Sequence, residues 1–183
     1  TRLGELTALT PKPLLEVGGR PFLNYLIDHL ARHGTQHIIL LVGPHAHHFR
    51  NFKAEIDSKH IRFDIVSDVP AAGTGGALRF ASSLLADQFL LLNGDSYFDF
   101  NLLDLASPDW TDDVVARIAL RRVTDSARYG SVSLEDGRVT QFGEKSGTGD
   151  GLINVGVYWL RKSLLDQDAS GSMSIENDIF PKA

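Results

Sequence analysis

The stretch PFLNYLIDHLARHGTQHIILLV, Pro21–Val42, holds the two periodicities from which the fold is read. Phe22, Leu23, Leu26, Ile27 and Leu30 recur at helical spacing, which predicts a helix over Phe22–His33 with one apolar side. Pro21 can open that helix at its first turn, where no amide hydrogen is needed, and Gly34 supplies a cap at its end. Ile38–Val42 is an unbroken β-branched and leucine run, which suits a parallel strand covered on both faces.

The alternation continues outward. A helix is expected from about Ala46 to Glu55 and a strand across Arg62–Ser67. Gly73-Thr74-Gly75-Gly76 leads into a helix through Ala86, and Phe89–Asn93 is the next buried strand. Strands and helices in turn predict an α/β fold with a mainly parallel sheet. Further on, Val114–Leu120 and Ile153–Leu160 read as strands. Ser131–Leu134 and Arg138–Phe142 flank Glu135-Asp136-Gly137, a hairpin signal. Short helices are expected near Ser163–Gln167 and Ser174–Phe180. No linker, repeat or composition shift divides the chain, so residues 1–183 are expected to form a single α/β domain with a mixed sheet.

Composition narrows the function. With 183 residues, 43% of them hydrophobic, the chain can bury a sizeable core. No run approaches the roughly 18 apolar residues of a membrane span, and no N-terminal stretch resembles a signal peptide. The absence of cysteine removes disulfides, thiolate metal sites and cysteine nucleophiles, and fits a cytoplasmic location. Lys and Arg number 18 against 23 Asp and Glu, a net charge of -5 that argues against a protein coating nucleic acid. Any anionic ligand must then be held by a few well-placed cations.

Open α/β sheets bind ligands beyond the carboxyl ends of their strands. Asn93-Gly94-Asp95 falls there. A carboxylate held by a rigid strand end suits Mg2+, a hard cation that takes oxygen ligands; a plain turn is the other reading. At Gly73-Thr74-Gly75-Gly76 the glycines would let either a ligand or a neighbouring backbone come close. Pro11-Lys12-Pro13 predicts an extended, stiff setting for Lys12, suited to a phosphate or simply to solvent. His45, His47 and His48 lie close together, but no cysteine or carboxylate completes a metal site, so they read as a solvated helix start. Asp109, Asp112 and Asp113 around Trp110 read as a surface loop. Tyr158, Trp159 and Phe180 read as core or interface residues.

Taken in order, Thr1-Arg2-Leu3, Pro11-Lys12-Pro13-Leu14-Leu15, Val17-Gly18-Gly19-Arg20-Pro21, Gly73-Thr74-Gly75-Gly76-Ala77-Leu78 and Leu92-Asn93-Gly94-Asp95 closely resemble the motifs of the sugar-phosphate nucleotidyltransferases. The resemblance continues through Arg128-Tyr129-Gly130, Phe142-Gly143-Glu144-Lys145 and Asn154-Val155-Gly156-Val157-Tyr158. Asn93-Gly94-Asp95-Ser96-Tyr97-Phe98 looks most like the branch that forms GDP-D-glycero-D-manno-heptose.

The resemblance implies a Rossmann-like three-layer αβα sandwich and the transfer of a nucleoside monophosphate from a nucleoside triphosphate to a sugar 1-phosphate. It implies catalytic roles for Arg2, Lys12 and Asp95, with Asp95 binding Mg2+. It places the nucleotide against Thr1, Arg2, Lys12, Gly73, Thr74 and Gly75. Asp68 stands where the family often carries Glu or Gln near the base. Gly130, Glu144 and Asn154 would meet the sugar hydroxyls, and Lys145 its phosphate. Alternatives are a guanylyltransferase for mannose 1-phosphate, another hexose 1-phosphate enzyme, and a catalytically silent nucleotide-sugar-binding module. The family's glycine-rich strand-loop before Thr1 and a second metal-binding Asp after Ala183 fall outside the sequence, so the site is expected to be incomplete as it stands.

Overall fold

The computed structural model describes residues 10–42, 46–49, 52, 61–67, 73–107, 110–126, 129–143, 149–166 and 172–183. The chain divides into two units, Thr1–Ala71 with Gly94–Leu103, and Ala72–Asn93 with Asp104–Ala183.

In the first unit, strands β1 (Glu16–Val17) and β2 (Arg20–Pro21) pair antiparallel across Gly18-Gly19. The glycines take φ of 58° and 78°, the left-handed values that a two-residue hairpin turn needs. Helix α1 (Phe22–Arg32) follows at once and buries Leu23, Leu26, Ile27 and His29. It stops where the sequence predicts. Gly34 adopts φ 77°, its N–H donates to Ala31 O at 3.0 Å, and Thr35 N–H donates to Leu30 O at 3.2 Å. This pair of bonds satisfies carbonyls that the helix end leaves open. Strands β3 (His37–Leu41) and β4 (Arg62–Val66) pair in parallel, from His37 opposite Arg62 to Leu41 opposite Val66. Residues 46–49 and 52 are helical, and Phe49 and Phe52 join Leu23, Leu26, Ile27, Ile38, Val42, Ile61 and Phe63 in the core of this unit.

His29 is the one core residue of α1 that the apolar spacing does not announce. It is 2% exposed, and its Nδ1 lies 3.3 Å from an Arg32 guanidinium nitrogen. A guanidinium only donates, so Nδ1 accepts and the ring proton sits on Nε2. Burial lowers the pKa of His29, the positive charges of His33 and Arg32 lower it further, and Asp99 opposes them. The folded state therefore binds fewer protons than the unfolded one below the ordinary histidine value of about 6.5. Stability should fall as pH drops below that value. The thermal midpoint is expected to be lower at pH 5 than at pH 7.5, with a shallower dependence in His29→Leu; scanning calorimetry across that range checks it, and an equal slope in both proteins would count against His29 as the source.

The second unit contains helix α2 (Gly73–Phe80) and strands β5 (Gln88–Leu92), β6 (Ala116–Val123), β7 (Val132–Glu135), β8 (Arg138–Phe142) and β9 (Gly151–Arg161). Helix α2 ends well before Ala86: Ser82 and Ser83 fall in a 3₁₀ turn, Ser82–Leu84. Serine side chains compete for local backbone bonds and favour helix ends. The hairpin β7–β8 turns at Asp136-Gly137, with φ of 48° and 77°, and Glu135 faces Arg138. Single turns follow at Lys162–Asp166 and Ile175–Ile179, the latter capped by the Ser174 hydroxyl accepting from Asn177 N–H. Trp110, within the acidic stretch, lies 4.9 Å and 5.5 Å from the guanidinium carbons of Arg117 and Arg161, with Asp112 and Asp113 exposed beside it.

The sheet is mixed, as expected. Among the described strands only β3 and β4 pair in parallel; β9 lies between β5 and β6 and runs antiparallel to both. An uninterrupted apolar run reports burial of both faces, which a central strand has whichever way its neighbours run. Among the described residues no helix is long and apolar enough to cross a membrane.

Candidate functional site

Lys12 and Asp95 meet in the first unit. Lys12 opens a single 3₁₀ turn, Lys12–Leu14, in which Leu14 N–H donates to Pro11 O at 2.8 Å. The expected extended setting is thus corrected. Proline is tolerated in a first helical turn because its missing N–H would have no partner there. The Lys12 ammonium donates to Asp95 Oδ2 at 3.0 Å, and the two side chains remain 41% and 40% exposed. Gly94 lets its turn come near: a Cβ there would lie 3.3 Å from Pro13 Cγ. The two readings of Asn93-Gly94-Asp95 therefore coincide, since the segment is a turn and it presents a carboxylate. The other Asp95 oxygen, Oδ1, has Ser96 Oγ 3.5 Å away. An accessible cation and an accessible carboxylate side by side form a pair that a phosphate and its counter-cation could share.

The glycine cluster belongs to the second unit. Gly73 has φ 70°, and a Cβ on it would collide with the Met173 carbonyl; one on Gly75 would press on Ile179 Cδ1 at 2.5 Å. Gly75 N–H donates to Met173 O at 2.9 Å, and Ile175 N–H donates to Thr74 Oγ1 at 2.9 Å. Of the two readings of this cluster, close backbone approach is the one these contacts express. The glycines form the first turn of α2 rather than a loop before it.

Asn154 sits at an irregularity in β9. Ile118 faces Tyr158, but Leu120 faces Asn154, so β9 carries two more residues than β6 over this interval. Gly156, with φ 75°, makes the bulge, and its missing Cβ leaves room for the Asn93 side chain. Gly156 O accepts from Asn93 N–H at 2.8 Å, and Gly156 N–H donates to Asn154 Oδ1 at 2.9 Å. Ser131 bridges Ile153 antiparallel, so Gly130 and Asn154 are the next residues across from one another. Gly143 N–H donates to Ser131 O at 2.8 Å, and a Cβ on Gly130 would lie 3.2 Å from Gly143 O. The structure thus brings Gly130, Gly143 and Asn154 to one strand edge.

Tyr158, which the sequence reads as a core or interface residue, and Glu176, which it leaves without a reading, are the polar residues that meet Asn154 here. Tyr158 is fully buried, and its hydroxyl donates to Glu176 Oε1 at 2.7 Å while accepting from Asn154 Nδ2 at 2.8 Å. Burial, then the Glu176 carboxylate, pushes the phenol above its ordinary pKa, and the Asn154 bond opposes them. A glycine inside a strand pattern, as at Asn154-Val155-Gly156, is a sequence signal for a bulge or a close backbone approach. Nothing comparable marks Glu176. Thr1, Arg2, Asp68, Glu144, Lys145 and His45 lie outside the described residues; His47 and His48 have ring centroids 4.0 Å apart.

Comparison with known proteins follows these motifs. The family model for nucleotidyl transferases matches residues 1–181. The chain is 31% identical over 171 residues to a D-glycero-alpha-D-manno-heptose 1-phosphate guanylyltransferase of Campylobacter jejuni, covering 92% of this chain and 75% of that protein. It is 31% identical to a probable mannose-1-phosphate guanylyltransferase of Oryza sativa, covering all of this chain and 53% of that one. The chain thus spans about half the length of its mannose-1-phosphate relatives, at 53% and 55% for those of rice and Arabidopsis thaliana. The crystal structure of HddC from Yersinia pseudotuberculosis complexed with GMP-PN matches with a TM-score of 0.84 at 30% identity, over 95% of this chain and 77% of that one. By its sequence and its mixed α/β fold, the chain belongs to the nucleotidyl transferase family.

Proposed function

We propose that the chain carries one nucleotidyltransferase domain of the three-layer αβα type, which transfers a nucleoside monophosphate from a nucleoside triphosphate to a sugar 1-phosphate. The observation that carries this is the accessible Lys12–Asp95 pair at 3.0 Å in a chain of net charge -5. An oxygen of the sugar phosphate attacks the α-phosphorus and forms a P–O bond. The bond from that phosphorus to the bridging oxygen breaks, and pyrophosphate leaves with its electron pair. The nucleophile is already ionised at neutral pH, so the work is to bring two polyanions together and stabilise charge in the transition state. Lys12 neutralises charge at the α-phosphate, joined in this role by Arg2, while Lys145 holds the sugar phosphate. Thr1, Asp68, Gly73, Thr74 and Gly75 are assigned to binding of the nucleotide, and Gly130, Glu144 and Asn154 to binding of the sugar.

A divalent cation suits the donor set around Asp95. One accessible carboxylate and the Ser96 hydroxyl are oxygen donors only, which fits Mg2+, an ion that keeps water and completes its shell from substrate phosphates. Bound there, it supplies further neutralisation of the phosphate oxygens.

The finer proposal is GTP with D-glycero-D-manno-heptose 1-phosphate, supported by the Asn93–Phe98 string and by the 31% identity to the Campylobacter jejuni protein. Mannose 1-phosphate is the second reading, favoured by relatives such as the 33% identical Arabidopsis thaliana protein. Pyrophosphate release measured for five nucleoside triphosphates against several sugar 1-phosphates tests both. Release with GTP and heptose 1-phosphate above all other pairs is expected. A maximum with mannose 1-phosphate would move the assignment, and no release from any pair would favour a silent binding module.

A further inference from the structure

We infer that Tyr158 and Glu176 are positioning residues that fix which way the Asn154 amide faces, an inference that rests on the reading of Asn154 as a sugar-hydroxyl contact. An asparagine amide has a donor end and an acceptor end of nearly the same shape, and only its partners decide which points where. The order of donation starts at Glu176. The Tyr158 O–H donates to its Oε1 at 2.7 Å. The Tyr158 oxygen is then left as an acceptor, and Asn154 must offer Nδ2, 2.8 Å away. At the other end, Gly156 N–H can only donate, and it holds Asn154 Oδ1 at 2.9 Å. Both ends of the amide are set by these partners. One Nδ2 hydrogen and one Oδ1 lone pair remain for a ligand, each on a known side.

Glu176 is itself held. Its second oxygen accepts from Ser174 Oγ at 3.0 Å, and the neighbouring Ile175 N–H donates to Thr74 Oγ1 at 2.9 Å. Gly75 N–H closes the same turn by donating to Met173 O at 2.9 Å. The turn Met173–Glu176 thus ties the first turn of α2, assigned to the nucleotide side, to the amide assigned to the sugar side. Phe180, 5.6 Å from Tyr158 between ring centroids, packs on the phenol ring, so Tyr158→Phe removes the hydroxyl and keeps a ring in place.

Steady-state kinetics on the pair of substrates that turns over best, with Tyr158→Phe, Glu176→Gln, Glu176→Leu and Asn154→Ala, test the inference. Tyr158→Phe is expected to raise KM for the sugar 1-phosphate by about tenfold, the size of one lost hydrogen bond, while KM for the nucleoside triphosphate stays within twofold. Glu176→Gln keeps a carbonyl that can accept from Tyr158 and should stay near the parent value, whereas Glu176→Leu should match Tyr158→Phe. In the Asn154→Ala background Tyr158→Phe should add nothing. A large KM effect of Asn154→Ala with none from Tyr158→Phe would overturn the positioning role and leave the reading of Asn154 standing. No KM effect from Asn154→Ala would remove that reading and the inference with it. Equal rises in both KM values from Tyr158→Phe, with a lowered thermal midpoint, would mean that Tyr158 serves the fold alone.

Discussion

Asp95→Asn is expected to lower the rate of pyrophosphate release by at least about 10²–10³-fold at a Mg2+ concentration that saturates the parent, by analogy with removal of a charge-stabilising group from a transition state. Asparagine keeps the size and one carbonyl oxygen but loses the negative charge that would hold a cation. The fold should survive. Lys12 and Asp95 are 41% and 40% exposed, and an ion pair so open to water contributes roughly 0–1 kcal/mol to stability. A thermal midpoint within a few degrees of the parent, beside a lost rate, is therefore the expected combination. Near-normal turnover would remove Asp95 as a metal ligand, and a lost rate with a lost fold would make it structural. Raising the Mg2+ concentration separates weak metal binding from a lost catalytic contribution, since only the first is recovered.

Gly73→Ala is expected to have the largest effect on stability, about 3 kcal/mol, the sum of a left-handed backbone forced on alanine and overpacking against rigid atoms. For a chain of this size that corresponds to a fall in thermal midpoint of roughly 6–12 °C. The colliding atom is the Met173 carbonyl, part of a backbone whose O is already committed to Gly75 N–H, so it has little freedom to give way. Gly19→Ala is the matched control. Its φ of 78° imposes the same backbone strain, but nothing lies within 4 Å of the added carbon. Its cost should be limited to about 1–2 kcal/mol. Equal losses at both positions would show that φ alone, and not the Met173 contact, sets the requirement for glycine at residue 73.

What could be read from sequence divides along the distance between partners. Helix α1 and its end at Gly34 were legible because five apolar residues and a glycine act within one short segment. The Asp136-Gly137 turn was legible for the same reason: both residues must reach positive φ, and the pair is suited to it. The place of β9 in its sheet was not. The insertion of β9 between β5 and β6 depends on contacts between residues 88–92 and 157–161, which no local pattern encodes. The sequence does not announce His29, because a histidine on a helix reads as polar and its burial comes from packing with Arg32, His33 and Tyr97.

The site divides in a similar way. Lys12 and Asp95 were legible as residue types, but their separation of 3.0 Å joins positions 83 residues apart. At Gly73 and Gly75 sequence left two readings open, because a ligand and a neighbouring backbone make the same demand on a glycine. The Met173–Ile179 turn supplies the neighbour. Asn154 was legible from its motif, whereas the orientation of its amide is set by Glu176, 22 positions on, through Tyr158.

The aromatic residue near Arg117 and Arg161 gives the molecule an optical asymmetry. Trp110 and Trp159 are the only tryptophans in the chain, and both belong to the second unit. Trp159 has its indole N–H on Gln88 at 3.1 Å, and Trp110 lies near two cations, so their surroundings differ in polarity. Emission excited at the red edge of the absorption band therefore watches one half of the polypeptide, and the half holding Lys12 and Asp95 is dark. Set beside circular dichroism, which sees α1 as well, that signal distinguishes a single cooperative melting event from two successive ones without any label being attached.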